Sequence, residues 1–234
     1  MTHLAFLCAM PMELRPLARR LSLRRARVEG IAVYAGTCGG RPALALATGM
    51  GTILAAAATE RLLGAAAVSH VQVFGIAGAA DNATPVGTIV RPELTVDGAS
   101  GRQFVPRAAA RGGGGLSGIL WTTDELITGG DVLADLRARG VVALDMETAA
   151  VAHVCEARGV TWSVFRAISD RPSDGIDLEV VAMSNQDGTP NHEAIAAYFE
   201  RHPEKAALLA ETGANAALAA ETAAAAAIAA LAHV

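Results

Sequence analysis

Four short apolar runs, residues 4–9, 71–76, 141–144 and 162–168, limit what this chain can fold into. Each is too short for a core helix, and each is stopped by proline, glycine or an acid, which predicts buried strands. Helical patterns lie between them. Leu14, Leu17, Ala18 and Leu21 recur at helical spacing behind Pro11, which suits a first helical position. Thr48-Gly-Met-Gly51 leads into a predicted alanine-rich helix that runs through Leu63. Another follows Asp145, a candidate cap, and runs through about Arg158. Two more close the chain over 193–201 and 204–231. Strands over 31–37 and 43–48 would pair through Gly39-Gly-Arg-Pro42, and a further strand is predicted over 88–96. Residues 98–118 are glycine-rich and predict a mobile excursion, and 171–192 read as irregular. The alternation predicts an α/β fold in one domain spanning 1–234, with a central, mixed but mostly parallel sheet flanked by helices.

Composition narrows the function classes. At 52% hydrophobic and 18% charged residues the chain is globular rather than disordered. A net charge of −4 offers no overall basic footprint, so no nucleic-acid partner is expected. No membrane partner is expected either, because Glu211, Asn215 and Glu221 interrupt the apolar C-terminus. Cys8, Cys38 and Cys155 are dispersed, which fits free thiols in a reducing compartment and a cytoplasmic location. The six histidines lack metal-ligand spacing, and the first strand runs into Cys8-Ala-Met-Pro11 without a dinucleotide fingerprint. Neither a metal nor an organic cofactor is expected.

Three acids stand just beyond three of the apolar runs: Glu13, Glu147 and Asp170. Strand ends are where ligands bind in open α/β sheets. Each acid has a plain alternative. Glu13 and Glu147 would complement a helix dipole, and Glu147 is predicted inside the helix after Asp145, on a face with Ala150, Val151 and Val154. Asp170, before Arg171-Pro172, would close an Asx-turn. Singly these alternatives are at least as good as a functional role; three acids at three strand ends that one cleft could gather point to a site. Arg166, inside an apolar run, needs a carboxylate partner and is expected to hold one of the acids.

Leu144-Asp-Met-Glu-Thr-Ala-Ala-Val-Ala-His153 together with Arg166-Ala-Ile-Ser-Asp170 resembles the V-E-M-E-x-x-A-x-A and R-x-I-S-D blocks of the purine nucleoside phosphorylase and nucleosidase superfamily. The resemblance is strongest to methylthioadenosine/S-adenosylhomocysteine nucleosidases and futalosine hydrolases. Weaker matches at Ala9-Met-Pro-Met-Glu13, Thr48-Gly-Met-Gly51, Gly75-Ile-Ala-Gly78 and Val86-Gly-Thr-Ile-Val90 follow in family order. The resemblance implies that Asp170 protonates the departing purine, with Ser169 beside it in the binding set. It implies that Glu13 activates water and that Glu147 holds the ribose hydroxyls, with Met146 against the sugar. Ala77 and Gly78 would lie near the anomeric carbon. Leu126 and Ile127 would sandwich the base, Leu126 standing where the family has a stacking aromatic. A nucleoside substrate and a homodimer are implied with them.

Hydrolysis and phosphorolysis both stay open in the sequence. Phe74-Gly-Ile-Ala-Gly78 lacks the arginine of a phosphorylase turn, and Glu13 replaces a phosphate loop. Arg15 and Arg41 keep phosphorolysis available, and a nucleoside-binding protein without turnover is the third reading.

Overall fold

The computed structural model describes residues 2–107, 114–175, 183, 185, 189 and 191–231. Its centre is the run 71–76, which extends further than its apolar core, as strand β5 (Val68–Ala79). Strand β1 (His3–Cys8) lies parallel along β5, and strand β4 (Arg41–Ala47) lies parallel on the other side of β1. Strands β3 (Ile31–Cys38) and β2 (Arg24–Val28) continue antiparallel to a free edge. On the opposite edge of β5 lies strand β11 (Thr161–Asp170), also parallel.

The run 88–96 is two strands rather than one: β6 (Ile89–Val90), against β11, and β7 (Leu94–Asp97). Pro92 lies between them, lacks an N–H and cannot carry a ladder through. The excursion over 98–118 contains strand β8 (Gln103–Phe104), antiparallel to β7, with Phe104 buried. Residues 108–113, which include Gly112 and Gly113, lie outside the described residues. Strands β9 (Ile119–Thr122) and β10 (Val141–Asp145) complete a mixed, mostly parallel sheet.

Both faces are covered. Helices α2 (Thr52–Ala65) and α4 (Thr148–Ala157) bury Ala55, Leu62, Val151, Ala152 and Cys155 against one face. Helix α3 (Gly130–Ala138) adds Leu136 beside Trp121 and Val141. Helix α1 (Pro11–Arg20) inserts Leu14 and Leu17 against the other face. After a short helix α5 (His192–Arg201), the last helix, α6 (Ala206–Leu231), lays Ala219, Ala220, Ala223, Ala224 and Ala227 onto that face. By length and composition alone α6 could cross a membrane. In this fold its alanine face packs on β11 and β5, and Glu221 pairs with Arg19 and Arg20 of α1. In the irregular segment 171–192, Pro172–Asp174 form one 3-10 turn, while 176–182 lie outside the described residues.

The register along β5 creates the cleft. Parallel β1 leaves its last pair at Leu7 and Val73. Antiparallel β10 approaches from the other direction and pairs at Leu144 with Gly78. Because β11 occupies the opposite edge over this whole length, β1 and β10 share one edge and end facing each other. Residues 75–77 of β5 border the gap between them.

Candidate active site

A gap in a sheet exposes backbone polar groups that something must satisfy. At Ile76 the partners are side chains. The Ile76 N–H donates to Glu13 Oε1 at 2.8 Å, and Arg166 Nη1 donates to the Ile76 carbonyl at 3.3 Å. Glu13 sits in the first turn of α1, and its Oε2 accepts from the Met10 N–H at 2.7 Å. That bond is the carboxylate half of a capping box. Both Glu13 oxygens are therefore fixed by backbone amides, and the residue is fully buried.

Arg166 belongs to β11, whose register pairs it with Gly75. Its side chain crosses over β5 at Gly75, where a Cβ would stand 2.8 Å from Nη1 and 2.3 Å from Glu13 Oε1. Gly75 also has φ +144°, which a side chain would strain. Beyond that crossing Nη2 donates to Asp145 Oδ2 and, at 3.1 Å, to Glu147 Oε2, while Nη1 lies 4.0 Å from Glu13 Oε1. The sequence called for one acid to partner Arg166; the structure supplies three.

Glu147 is not inside α4. It occupies the N-cap position, and α4 begins at Thr148. The turn is set from Asp145, which accepts from the Thr148 N–H and hydroxyl and from the Thr122 hydroxyl. Asp145 therefore sits two residues ahead of the cap, held there by Arg166 and Thr122. Freed from the helix, Glu147 turns to the cleft, and its Oε1 accepts from the Gly51 N–H at 3.1 Å. Neighbouring Thr52, at the start of α2, is bonded through its N–H and hydroxyl to Asp124.

Asp170, the last residue of β11, enters the same cleft without an ion pair among the described residues. Ser169 donates its hydroxyl to Asp170 Oδ1, and Gly78 leaves room for the carboxylate, since a Cβ there would stand 3.0 Å from Oδ2. The next arginine, Arg171, is occupied by Asp174 through Nε and Nη2.

Three different charge environments result. Burial pushes Glu147 up to about 7, against the pull of Arg166 and with the push of Asp145 and Glu13. Burial raises Glu13 too, opposed by Arg166 and the Ile76 and Met10 amides. Asp170 is raised by burial and by Asp174, opposed only by the Ser169 hydroxyl.

All nine site residues expected from the sequence line this cleft: Glu13, Ala77, Gly78, Leu126, Ile127, Met146, Glu147, Ser169 and Asp170. Its volume is about 180 Å³. The walls also include Met10, Met50, Thr123, Leu133 and Arg171, which the sequence reading did not assign. Met10 and Met50 sat within motifs already noticed, at Ala9–Glu13 and Thr48–Gly51, and could have been found there; Leu133 lies on a helix that went unread. Arg15 and Arg41 are not among the lining residues. Arg15 lines a separate groove, and Arg41 Nη2 donates to Ser69 Oγ near the opposite end of the sheet.

A family model described as "Phosphorylase superfamily" matches residues 3–113 and 115–200. A 5′-methylthioadenosine/S-adenosylhomocysteine nucleosidase from Actinobacillus succinogenes is 49% identical over 55 residues, only 23% of this chain and 24% of that relative. The nucleosidase of the same name from Neisseria meningitidis, solved with methylthio-immucillin-A, superposes with a TM-score of 0.69 at 20% identity, covering 98% of this chain and 99% of that one. A futalosine hydrolase mutant from Helicobacter pylori gives 0.66 at 15% identity, over 96% of each chain. These structures share the fold at low identity, while the family model spans most of the sequence and includes all three strand-end acids. The chain belongs to the phosphorylase superfamily.

Proposed function

We propose that the protein is an N-ribosyl hydrolase that cleaves the glycosidic bond of a purine nucleoside or thionucleoside. One observation carries the choice of water over phosphate: a carboxylate, Glu13, fills the gap beside Ala77 and Gly78, and among the described residues no free arginine faces it. Arg166 is bound by three acids, Arg171 by Asp174, and Arg15 and Arg41 lie elsewhere. A phosphate dianion placed beside Glu13 would meet repulsion without a compensating fork of donors.

The chemistry assigned to this site follows from the three acids. As the C–N bond breaks, positive charge grows on the ribose, and Glu147, placed against the sugar hydroxyls, stabilises it. Asp170, raised by burial, gives its proton to the departing purine. Glu13 accepts a proton from the water whose oxygen bonds to the anomeric carbon. Free ribose and free base leave, and the proton on Glu13 returns through solvent to Asp170 for the next turnover.

Ligands named for the structural neighbours, adenine and methylthio-immucillin-A, support a purine at the Asp170 end. Apolar Ile53, Leu126 and Val132 are exposed on segments bordering the cleft, which supports a homodimer closing its mouth. Buried free thiols at Cys8, Cys38 and Cys155 suit a cytoplasmic protein. The test is a panel of purine nucleosides with and without phosphate, with the sugar product identified. Free ribose at a phosphate-independent rate is expected, and Glu13→Gln should remove most turnover. Ribose 1-phosphate, or a rate that saturates with phosphate, rejects hydrolysis; no base release across the panel points to a binding protein.

A further inference from the structure

Arg15, Arg19, Arg20, Arg24, Arg25 and Arg27 crowd into thirteen residues of a chain whose net charge is −4. The surface outside this segment is therefore net acidic. In the fold the segment runs from α1 to the edge strand β2, and the two elements border a groove of about 680 Å³. Arg15 lines it from α1, Arg25 and Arg27 from β2, and Tyr34 from β3, over an apolar floor that includes Leu14 and Ala45. Arg19 and Arg24 flank Arg15 and Tyr34 in a shallower continuation.

Most of this charge is uncompensated. Arg19 and Arg20 pair with Glu221. Arg25 reaches only the Tyr34 hydroxyl and Arg27 only the Gly30 carbonyl, while Arg15 and Arg24 have no ion-pair or hydrogen-bond partner among the described residues. A cationic edge strand has an ordinary purpose, since like charge prevents two edges from pairing. That purpose accounts for Arg25 and Arg27 but not for Arg15, which converges on them from a helix.

We propose that this groove binds a phosphate monoester carrying an aromatic or heteroaromatic group. Guanidinium forks match phosphate oxygens, and the Tyr34 ring gives a planar group a surface to contact. The concavity is the size of a small-molecule site. A long polyanion fits less well, because beyond the patch it would run over acidic surface. The groove shares no lining residue with the catalytic cleft, so the two are separate.

The probe is phenyl phosphate, titrated calorimetrically at physiological ionic strength, with inorganic phosphate and phenol as controls. Saturable one-to-one binding of phenyl phosphate is expected, with weaker binding of inorganic phosphate and none of phenol. Arg25→Gln/Arg27→Gln should lower affinity at least ~10-fold, with thermal stability and nucleoside turnover unchanged. Tyr34→Ala should reduce phenyl phosphate to the level of inorganic phosphate. Asp170→Asn should leave binding intact, which separates this site from the cleft. No saturable binding, or equal binding by the double variant, overturns the proposal. Binding confined to a single-stranded oligonucleotide, with steep salt dependence, overturns it in favour of a polymer.

Discussion

Glu13 and Glu147 differ from Asp170 in one respect that organises the cleft. Glu13 and Glu147 are buried and Asp170 is partly buried, all three lining the same cleft, but Arg166 stands beside the first two and, among the described residues, no cation pairs with the third. A buried carboxylate is tolerated when a charge and hydrogen bonds face it, and otherwise takes up a proton. Burial raises all three acids; one arginine opposes that rise at Glu13 and Glu147, and only the Ser169 hydroxyl opposes it at Asp170. The position of Arg166 follows from β-sheet register: it pairs with Gly75, and only a glycine there lets the side chain cross to the gap.

Removing the arginine is the most severe way to break this contrast. Arg166→Met leaves Glu13, Asp145 and Glu147 buried without a cation, and a stability loss of ~3–5 kcal/mol is expected, with turnover lost. Without Arg166 to oppose burial, the pKa values of Glu13 and Glu147 rise further in the folded state, so the folded form binds more protons than the unfolded one. Stability then falls as pH rises, and the deficit should shrink on acidification. Denaturant melts across a pH series check it; a pH-independent deficit would show that Arg166 matters through packing alone. Gly75→Ala attacks the crossing point. Its Cβ would collide with Glu13 and Arg166 at a φ of +144°, and a loss of roughly 2–4 kcal/mol is expected, with Glu13 displaced and hydrolysis abolished. Retained activity in a folded Gly75→Ala protein would show that Glu13 is not held as described.

Asp170→Asn probes the other side of the contrast. Turnover should fall by ~10²–10⁴-fold, while substrate binding weakens less. Stability should move the opposite way from the arginine variant. The raised pKa of Asp170 contributes stability below the ordinary carboxylate range, and that contribution is lost as pH rises through its folded value. The asparagine carries no charge to desolvate, so at neutral pH the variant should melt no lower than wild type. A clearly lower melting temperature would mean that Asp170 is held ionised and is not the proton donor.

The acids were legible because each follows an apolar run, and Arg166 was legible as a residue in need of a partner. The three-way sharing was not, because it depends on β1 and β10 meeting head-on along β5, a fact of register rather than of local pattern. Strand β2 was missed for a physical reason: three of its five residues are arginine, and an edge strand facing water needs no apolar alternation. Helix α3 buries only Leu133 and Leu136, too few to set a period, so Leu133 in the cleft wall went unseen. Glu147 was read as helical because the apolar pattern continues around it; its release to the N-cap is set by bonds from Asp145 to Thr122, Thr148 and Arg166, two of them distant in sequence.

The finest test leaves all three acids in place. The Ser169 hydroxyl donates to Asp170 Oδ1 and is the one contact that favours its ionised form. In Ser169→Ala that contact is gone, while burial and Asp174 still favour the protonated acid. The pKa of Asp170 should therefore rise further. If Asp170 is the proton donor, the alkaline limb of kcat/KM should move to higher pH. A neutral hydrogen bond contributes about 1 kcal/mol, so the change in kcat/KM near neutrality should stay below ~10-fold. Full pH–rate profiles of the two proteins decide it. An alkaline limb that moves down, or does not move while the acid limb does, would assign the proton to a different group in the cleft.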